Sequence, residues 1–354
     1  MKFHKTIVIV VIFLWQNLAG AQVITGIVCD YSTKQPVSDV YIYLDGTSIN
    51  TITNSLGKFE LKSKSVINTK LVLHHLSYET LLIDRPFEGV PDTLFIKGKV
   101  NTIREVTITA DQFTREQKMK AFREQFLGMS RAGRLCTIVN EDDIHLKVDM
   151  QTRRLFASSD KPIVVVNNYL GYTTTFILID FWIQYGVAVV KLDNDYVNSS
   201  FFSVVSLFTD MTADNRRIKR RRDNVYERSS NHFFKSFAND ALKDNNFMVF
   251  NKSFPVDYRQ YFAVKDTLSQ KMISIIPDTD INRELSFYTG PKLTGIISVL
   301  YSRNVRSDIY FTTDSFLVDR YGNNDQIDKI LFSGQMGENR AGDMLPIDYE
   351  LNGR

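Results

Sequence analysis

Cysteine, histidine, proline and tryptophan are all scarce in this chain of 354 residues, which holds two Cys, five His, eight Pro and two Trp. Two thiols cannot staple a disulfide scaffold. Five His, spread along the chain, leave little from which to build a metal centre. A dominant charge is missing too, with 43 Lys and Arg against 40 Asp and Glu. No long basic tail marks a nucleic-acid binder. At 44% apolar and 23% charged residues the chain is too apolar to be disordered. Its longest uninterrupted apolar run is nine residues, Ile7 to Trp15. Phe176 to Trp182 is broken by Asp180, and the next stretch by Gln184 and Lys191, so no later run reaches the length of a membrane-spanning helix.

What is there begins with an address. Lys2 and Lys5 precede the Ile7–Trp15 run, and Ala19-Gly20-Ala21 supplies small residues spaced for a signal peptidase. Residues 1–21 therefore read as a secretory signal cut after Ala21. No Cys stands at that site to take a lipid anchor. Removing the signal leaves 41 basic against 40 acidic residues, a nearly neutral mature chain. The expected location is the periplasm or the outer membrane of a Gram-negative envelope, with no transmembrane helix after cleavage. Cys29 and Cys136 fall on different predicted units and are expected to be unpaired and buried.

From about residue 23 to 110 the pattern is short strands separated by turns. Ile24–Cys29, Val37–Leu44, Thr51–Thr53, Lys58–Leu61, Lys70–His74, Glu79–Ile83, Thr93–Ile96 and Glu105–Thr109 have strand character, with Asp45-Gly46 and Asn54-Ser55-Leu56-Gly57 as turns. Short strands at this spacing, with no helical period between them, imply an antiparallel sandwich. The order Gly26-x-Val28, Pro36-Val37, then Thr53-Asn54-x-x-Gly57-x-Phe59 resembles the carboxypeptidase regulatory-like domain, with Leu76-Ser77-Tyr78-Glu79 at the family's later Gly-Tyr turn and Ser77 replacing its Gly. The resemblance implies a seven-stranded prealbumin-like sandwich and no catalytic residue.

Residues 111–134 read as a helical linker, with Phe122 and Phe126 on one helix face. Residues 135–354 read as a larger β-rich domain with one or two helices. Its expected strands are Ile144–Met150, Arg154–Ala157, Pro162–Val166, Tyr172–Tyr185 with Val187–Leu192 as partner, Arg259–Val264, Gly295–Tyr301, Asp308–Phe311, Phe316–Val318 and Lys329–Phe332, and Arg228–Leu242 has a helical period. The fold class is thus mainly β, an N-terminal sandwich plus an α+β domain rich in strands. Four blocks, FREQFLG (122–128), PIVVVNNYLGY (162–172), RRRDNVYERSSNHFFKSF (220–237) and AGDMLPIDY (341–349), are similar in order and spacing to a family of envelope proteins that carry the regulatory-like module at the N-terminus. That resemblance implies architecture and compartment.

Candidate chemistry is thin. His74 and His75 are neighbours in a strand and point to opposite faces, so they cannot share an ion. No His-Glu-x-x-His or Gly-x-Ser-x-Gly occurs, and Asp278–Asn282 lacks the Gly and terminal Glu of a calcium loop. Ser229 and His232, one turn apart, fit a helix cap better than a triad. No catalytic residue, cofactor or metal is expected. Two features stand out. Arg216, Arg217, Lys219, Arg220, Arg221 and Arg222 place six cations in seven residues, either an anion or membrane contact or a solvated segment paired with Asp210, Asp214, Asp223 and Glu227. Tyr169, Tyr172, Phe176, Phe181, Trp182 and Tyr185 are either a sheet core or a surface for sugars or peptides, with Tyr169, Tyr172, Trp182 and Tyr185 as the candidate binding residues. The reading is a non-enzymatic exported envelope protein that binds an envelope protein, an anionic lipid or a glycan. The alternative is a glycan-binding protein, or a hydrolase with an unfamiliar site in the second domain.

Overall fold

The computed structural model describes residues 22–99, 112–186, 191–212, 215–282 and 290–351. The expected signal (1–21), the strand Glu105–Thr109, Asp214 and most of the strand Val187–Leu192 lie outside the described residues. Both cysteines are free, Cys29 buried and Cys136 half-buried. No helix among the described residues is long and apolar enough to cross a membrane.

The chain is mainly β. Strands β1 (Gln22–Asp30), β4 (Lys58–Ser63) and β7 (Thr93–Ile96) form one sheet of the N-terminal sandwich. Strands β2 (Tyr41–Leu44), β3 (Asn50–Ile52), β5 (Lys70–His74) and β6 (Leu81–Asp84) form the other. Seven strands match the expectation, and one pair, β1 with β7, is parallel. In β4 alternate side chains are buried, as KFELKS predicts, so Phe59 and Leu61 enter the core. The motif residues work together. Thr53 Oγ1 accepts from the Val40 amide at 3.0 Å and donates to the Val37 carbonyl at 2.9 Å. Gly57 sits at φ +68°, where a Cβ would lie 2.5 Å from the Val28 carbonyl oxygen. A Cβ on Gly26 would press to 2.9 Å from the Phe59 ring, so that glycine makes the room Phe59 fills.

Two further cores follow. The first is built on a six-stranded sheet: β8 (Cys136–Ile138), β9 (Ile144–Asp149), β10 (Arg154–Ser159), β11 (Ile163–Asn167), β12 (Tyr172–Tyr185) and β13 (Val197–Asp210). The partner of β12 is β13, along its whole length. Strand β11 pairs with its first half and β10 with its second, sharing the other edge. The segment read as a linker is helix α1 (Arg115–Phe126), opened by a capping box of Thr114 and Gln117. It is packed, with Phe122 at 4.8 Å from the Phe181 ring and Phe126 at 5.4 Å from Phe176. A short helix, α2 (Arg131–Arg134), and then α3 (Arg216–Tyr226) and α4 (Ser230–Ala238) complete the α-helices among the described residues.

The second core lies between the sheet of β14 (Phe247–Asn251), β15 (Phe254–Pro255), β18 (Gly295–Tyr301), β19 (Val305–Phe311) and β21 (Ile330–Gly334) and that of β16 (Phe262–Asp266), β17 (Lys271–Ile275) and β20 (Ser315–Val318). Phe233, Phe234 and Phe237 of α4 reach residues of both sheets. Ser229 caps α4 through the His232 amide at 3.1 Å, as its spacing predicts.

The N-terminal sandwich is bonded to both cores. Asp45 Oδ1 accepts from the Ser206 amide at 2.7 Å, and the Phe208 amide donates to the Thr47 carbonyl at 2.9 Å. The Asn68 amide donates to Asp319 Oδ2 at 2.9 Å, and the Asn68 side chain donates to the carbonyls of Asn323 and Leu317.

Candidate functional site

Helix α3 carries the basic run, and its sequence explains its seat. Asn215 caps it, accepting from the amides of Arg217 and Ile218. Ile218, Arg222 and Tyr226, four apart, make the buried stripe. Arg222 is 6% exposed and reads as an anchor. Its Nε donates to the Leu170 carbonyl at 2.6 Å and one Nη to that of Gly171 at 3.0 Å. Both Nη atoms bond Asp210, at 2.7 and 2.9 Å. The guanidinium lies 3.7 Å from the Tyr172 ring centroid. Those bonds hold the Asp210 carboxyl below the usual range. Arg221 donates to the Tyr169 carbonyl at 3.1 Å and stacks on its ring at 4.5 Å, with Arg131 also 5.5 Å from that ring.

The six cations therefore divide. Arg222 and Arg221 hold the helix to the 169–172 turn. Arg216, Arg217 and Arg220 are exposed and Lys219 half-exposed. At about 100° per residue the three exposed arginines share one arc opposite the buried stripe. No carboxylate among the described residues pairs with them. No acidic residue occupies the first turn either, so none of the described residues neutralises these cations at the helix's positive end. Of the acids expected to neutralise the run, Asp210 serves Arg222, while Asp223 accepts from the Tyr349 hydroxyl at 2.6 Å.

The aromatic candidates part company as well. Tyr172 and Tyr185 are 5% and 1% exposed, so they belong to the core and cannot be binding residues. Tyr169 and Trp182 are half-buried. Ten residues of extended strand from Tyr172 to Trp182 span about 33 Å, too far for one groove. The sequence conceals the reason: β12 carries a bulge between Leu178 and Asp180. Before it Tyr172, Thr174 and Phe176 face the core; after it Phe181, Ile183 and Tyr185 do. The extra residue re-aims every later side chain, and Trp182 turns outward.

The four sequence blocks converge where the two cores meet. The Gly342 amide donates to the Leu127 carbonyl at 3.1 Å, and Asn167 Nδ2 donates to the Gly342 carbonyl at 2.9 Å. A cleft of about 560 Å³ opens beside them, lined among others by Gln125, Ser130, Asn194, Arg228, Arg340 and Asp343. Composition and spacing did not single out these residues; only the convergence of separated blocks reveals them. Ser130 donates to Asp343 Oδ1 at 2.6 Å and accepts from the Gly133 amide at 3.0 Å. Burial pushes the Asp343 carboxyl up and the Arg340 guanidinium down. Burial, then Asp343, pushes the Cys136 thiol up to about 12, the opposite of an activated nucleophile. Among the described residues no group of three His, Cys, Asp or Glu side chains could hold a metal ion. His145 pairs with Asp160 at 2.9 Å on the surface, and His232 Nδ1 is 2.6 Å from the Glu227 carbonyl.

No curated protein matches the chain. A family model does match part of it: the CarboxypepD_reg-like domain, over residues 24–91. The span agrees with the sandwich of β1–β7 and with the tasks found for Gly26, Thr53, Gly57 and Phe59. This chain therefore carries a carboxypeptidase regulatory-like domain at residues 24–91.

Proposed function

We propose that this is an exported, non-enzymatic envelope protein of the periplasm or outer membrane, which docks on an anionic membrane surface through the free cations of α3. One observation carries the reading. Arg222 and Arg221 fix the helix from beneath, so Arg216, Arg217 and Arg220 stay outward, and no carboxylate among the described residues pairs with them. A solvated helix has no need of such an arrangement, which costs dipole energy at the helix start. The regulatory-like domain, frequent in exported proteins, and the signal-like first segment support the compartment. In the central cleft, Ser130 and Asp343 hold the turn at Gly133.

Flotation with vesicles of phosphatidylglycerol and phosphatidylethanolamine tests this. Each surface cation contributes about 1 kcal/mol at an anionic surface. Replacing Arg216, Arg217 and Arg220 by Ser then weakens partitioning by on the order of 100-fold. Binding also falls as salt shortens the Debye length. Equal binding by the triple variant, or equal binding to neutral phosphatidylcholine vesicles, refutes the reading.

A further inference from the structure

Among the described residues, the outward face of the middle sheet is only half covered. Before the bulge, Ile177, Val205 and Leu207 pack under Tyr43 and Val72 of the N-terminal sandwich. Beyond it the register sets Phe156 opposite Trp182, and Trp182 opposite Phe201, a row of three aromatic rings across β10, β12 and β13. Phe201 is 45% exposed, and Phe156 and Trp182 are half-buried. The Trp182 and Phe201 rings stack at 5.8 Å with 24° between their planes. The Arg154 guanidinium lies over Trp182 at 4.7 Å, steadied by its Nε bond to Gln184 Oε1 at 2.7 Å. The next pairs along the strands are polar: Gln184 with Ser199 on one side, Asp180 with Ser203 on the other.

We propose that this row is a glycan-binding subsite, taking two successive equatorially linked pyranose rings. Three adjacent strands set the outer rings about 10 Å apart. Aromatic faces attract the C–H faces of such sugars, and flanking amide, hydroxyl, carboxylate and guanidinium groups bond the hydroxyls at their rims. The shape argues against a protein partner. Three half-exposed rings offer on the order of 250 Å² of apolar surface. A stable interface needs about 800 Å² per partner, with a core poor in charge, whereas Arg154 and Asp180 border this strip.

Trp15 lies in the segment read as the cleaved signal, so Trp182 is the one tryptophan of residues 22–354 and the chain from Gln22 onward reports on it alone. Titration with chitohexaose and, separately, cellohexaose is expected to give a saturable change in Trp182 emission with either sugar, and protection from acrylamide quenching. Phe201→Ala weakens binding by on the order of tenfold. Trp182→Ala, followed by calorimetry, does so at least as strongly, while the Arg216/Arg217/Arg220 variant binds sugar as the parent does. Circular dichroism confirms that the exposed-ring variants fold. No saturable change and no protection with either sugar overturns the proposal, as does undiminished binding by both ring variants.

Discussion

Replacing Arg222 by Met is the sharpest perturbation of the junction. Met keeps most of the apolar stem and removes the fork. The Leu170 carbonyl, on a residue with no exposed surface, then loses its donor, while the Gly171 carbonyl keeps the Met211 amide at 3.0 Å. An unsatisfied buried acceptor costs about 1–3 kcal/mol. The Asp210 side chain is 34% exposed, so water replaces part of its bond and that pair is discounted to about 1 kcal/mol. The stacked Tyr172 ring adds about 1 kcal/mol more. Together these give roughly 3–5 kcal/mol, the range expected when one partner of a buried pair is removed. Urea unfolding followed by Trp182 emission is the assay. A chain with several cores does not unfold in two states, so the midpoint of the Trp182 transition is the quantity compared. With a slope of about 2–3 kcal/mol per molar, the midpoint falls by about 1–2.5 M. Arg222→Lys retains the charge without the fork and falls about half as far. The Arg216/Arg217/Arg220 triple variant stays within about 0.5 kcal/mol, as exposed sites do. An Arg222→Met midpoint equal to the parent's refutes the assignment of Arg222 as the anchor.

Two more predictions concern groups whose proton affinity burial has moved. Burial lifts the Asp45 carboxyl from 3.8 to about 6 at the seam with β13. The folded chain then holds a proton between pH 4 and 6 that the unfolded chain has released, so this group's contribution to stability falls as pH rises through that window, by about 1–3 kcal/mol. Asp45→Asn, which still accepts from the Ser206 amide, should gain stability over the parent at pH 7.5 and none at pH 4; an equal difference at both pH values would contradict this. For the thiols, Cys29 is 8% exposed and the Cys136 thiol is pushed up to about 12. Iodoacetamide at pH 8 should label the native chain slowly and the denatured chain at two sites without reductant; labelling that needs prior reduction would mean the thiols were paired.

What the sequence disclosed followed the strength of its local pattern. The alternation in Lys58–Ser63, the Gly57 turn and the phenylalanines of α4 were all legible, because side-chain period and turn chemistry are local. Helix α3 was not, because its buried stripe of Ile218, Arg222 and Tyr226 has a cation at its centre, and a charge there masks the 3.6 period. Strand β13 escaped for a similar reason. Its core-facing row includes Ser206, and serines interrupt its other face. The division of the second region into two cores depends on which sheets exchange partners, and no window of sequence contains that. Nor could the aromatic candidates be sorted into buried and exposed without the bulge, since one residue reverses the parity of all that follow.

The same bulge explains why the N-terminal domain sits where it does. With Ile179 unpaired, Phe181, Ile183 and Tyr185 keep to the core, beneath α1. The price is a sheet whose outer face changes character midway, from Ile177, Val205 and Leu207 to Trp182 and Phe201. Aliphatic side chains so crowded must be covered, and the sandwich covers them with Tyr43 and Val72. Its Asp45–Thr47 turn bonds β13, its Asn68 bonds the turn after β20, and its Gly46 carbonyl accepts from the Ile347 amide at 2.8 Å. A module tethered loosely to its neighbours would leave those groups to water. Here the sandwich completes the outer face of one core and pins the second to it, so losing it would expose an apolar patch and take the Asn68 amide from the buried Asp319 carboxylate, leaving it the donors of Tyr321 and Asn323. The regulatory-like domain is therefore part of the framework that holds both candidate surfaces in place: the basic helix at the Tyr172 end of β12 and the aromatic row near its Tyr185 end.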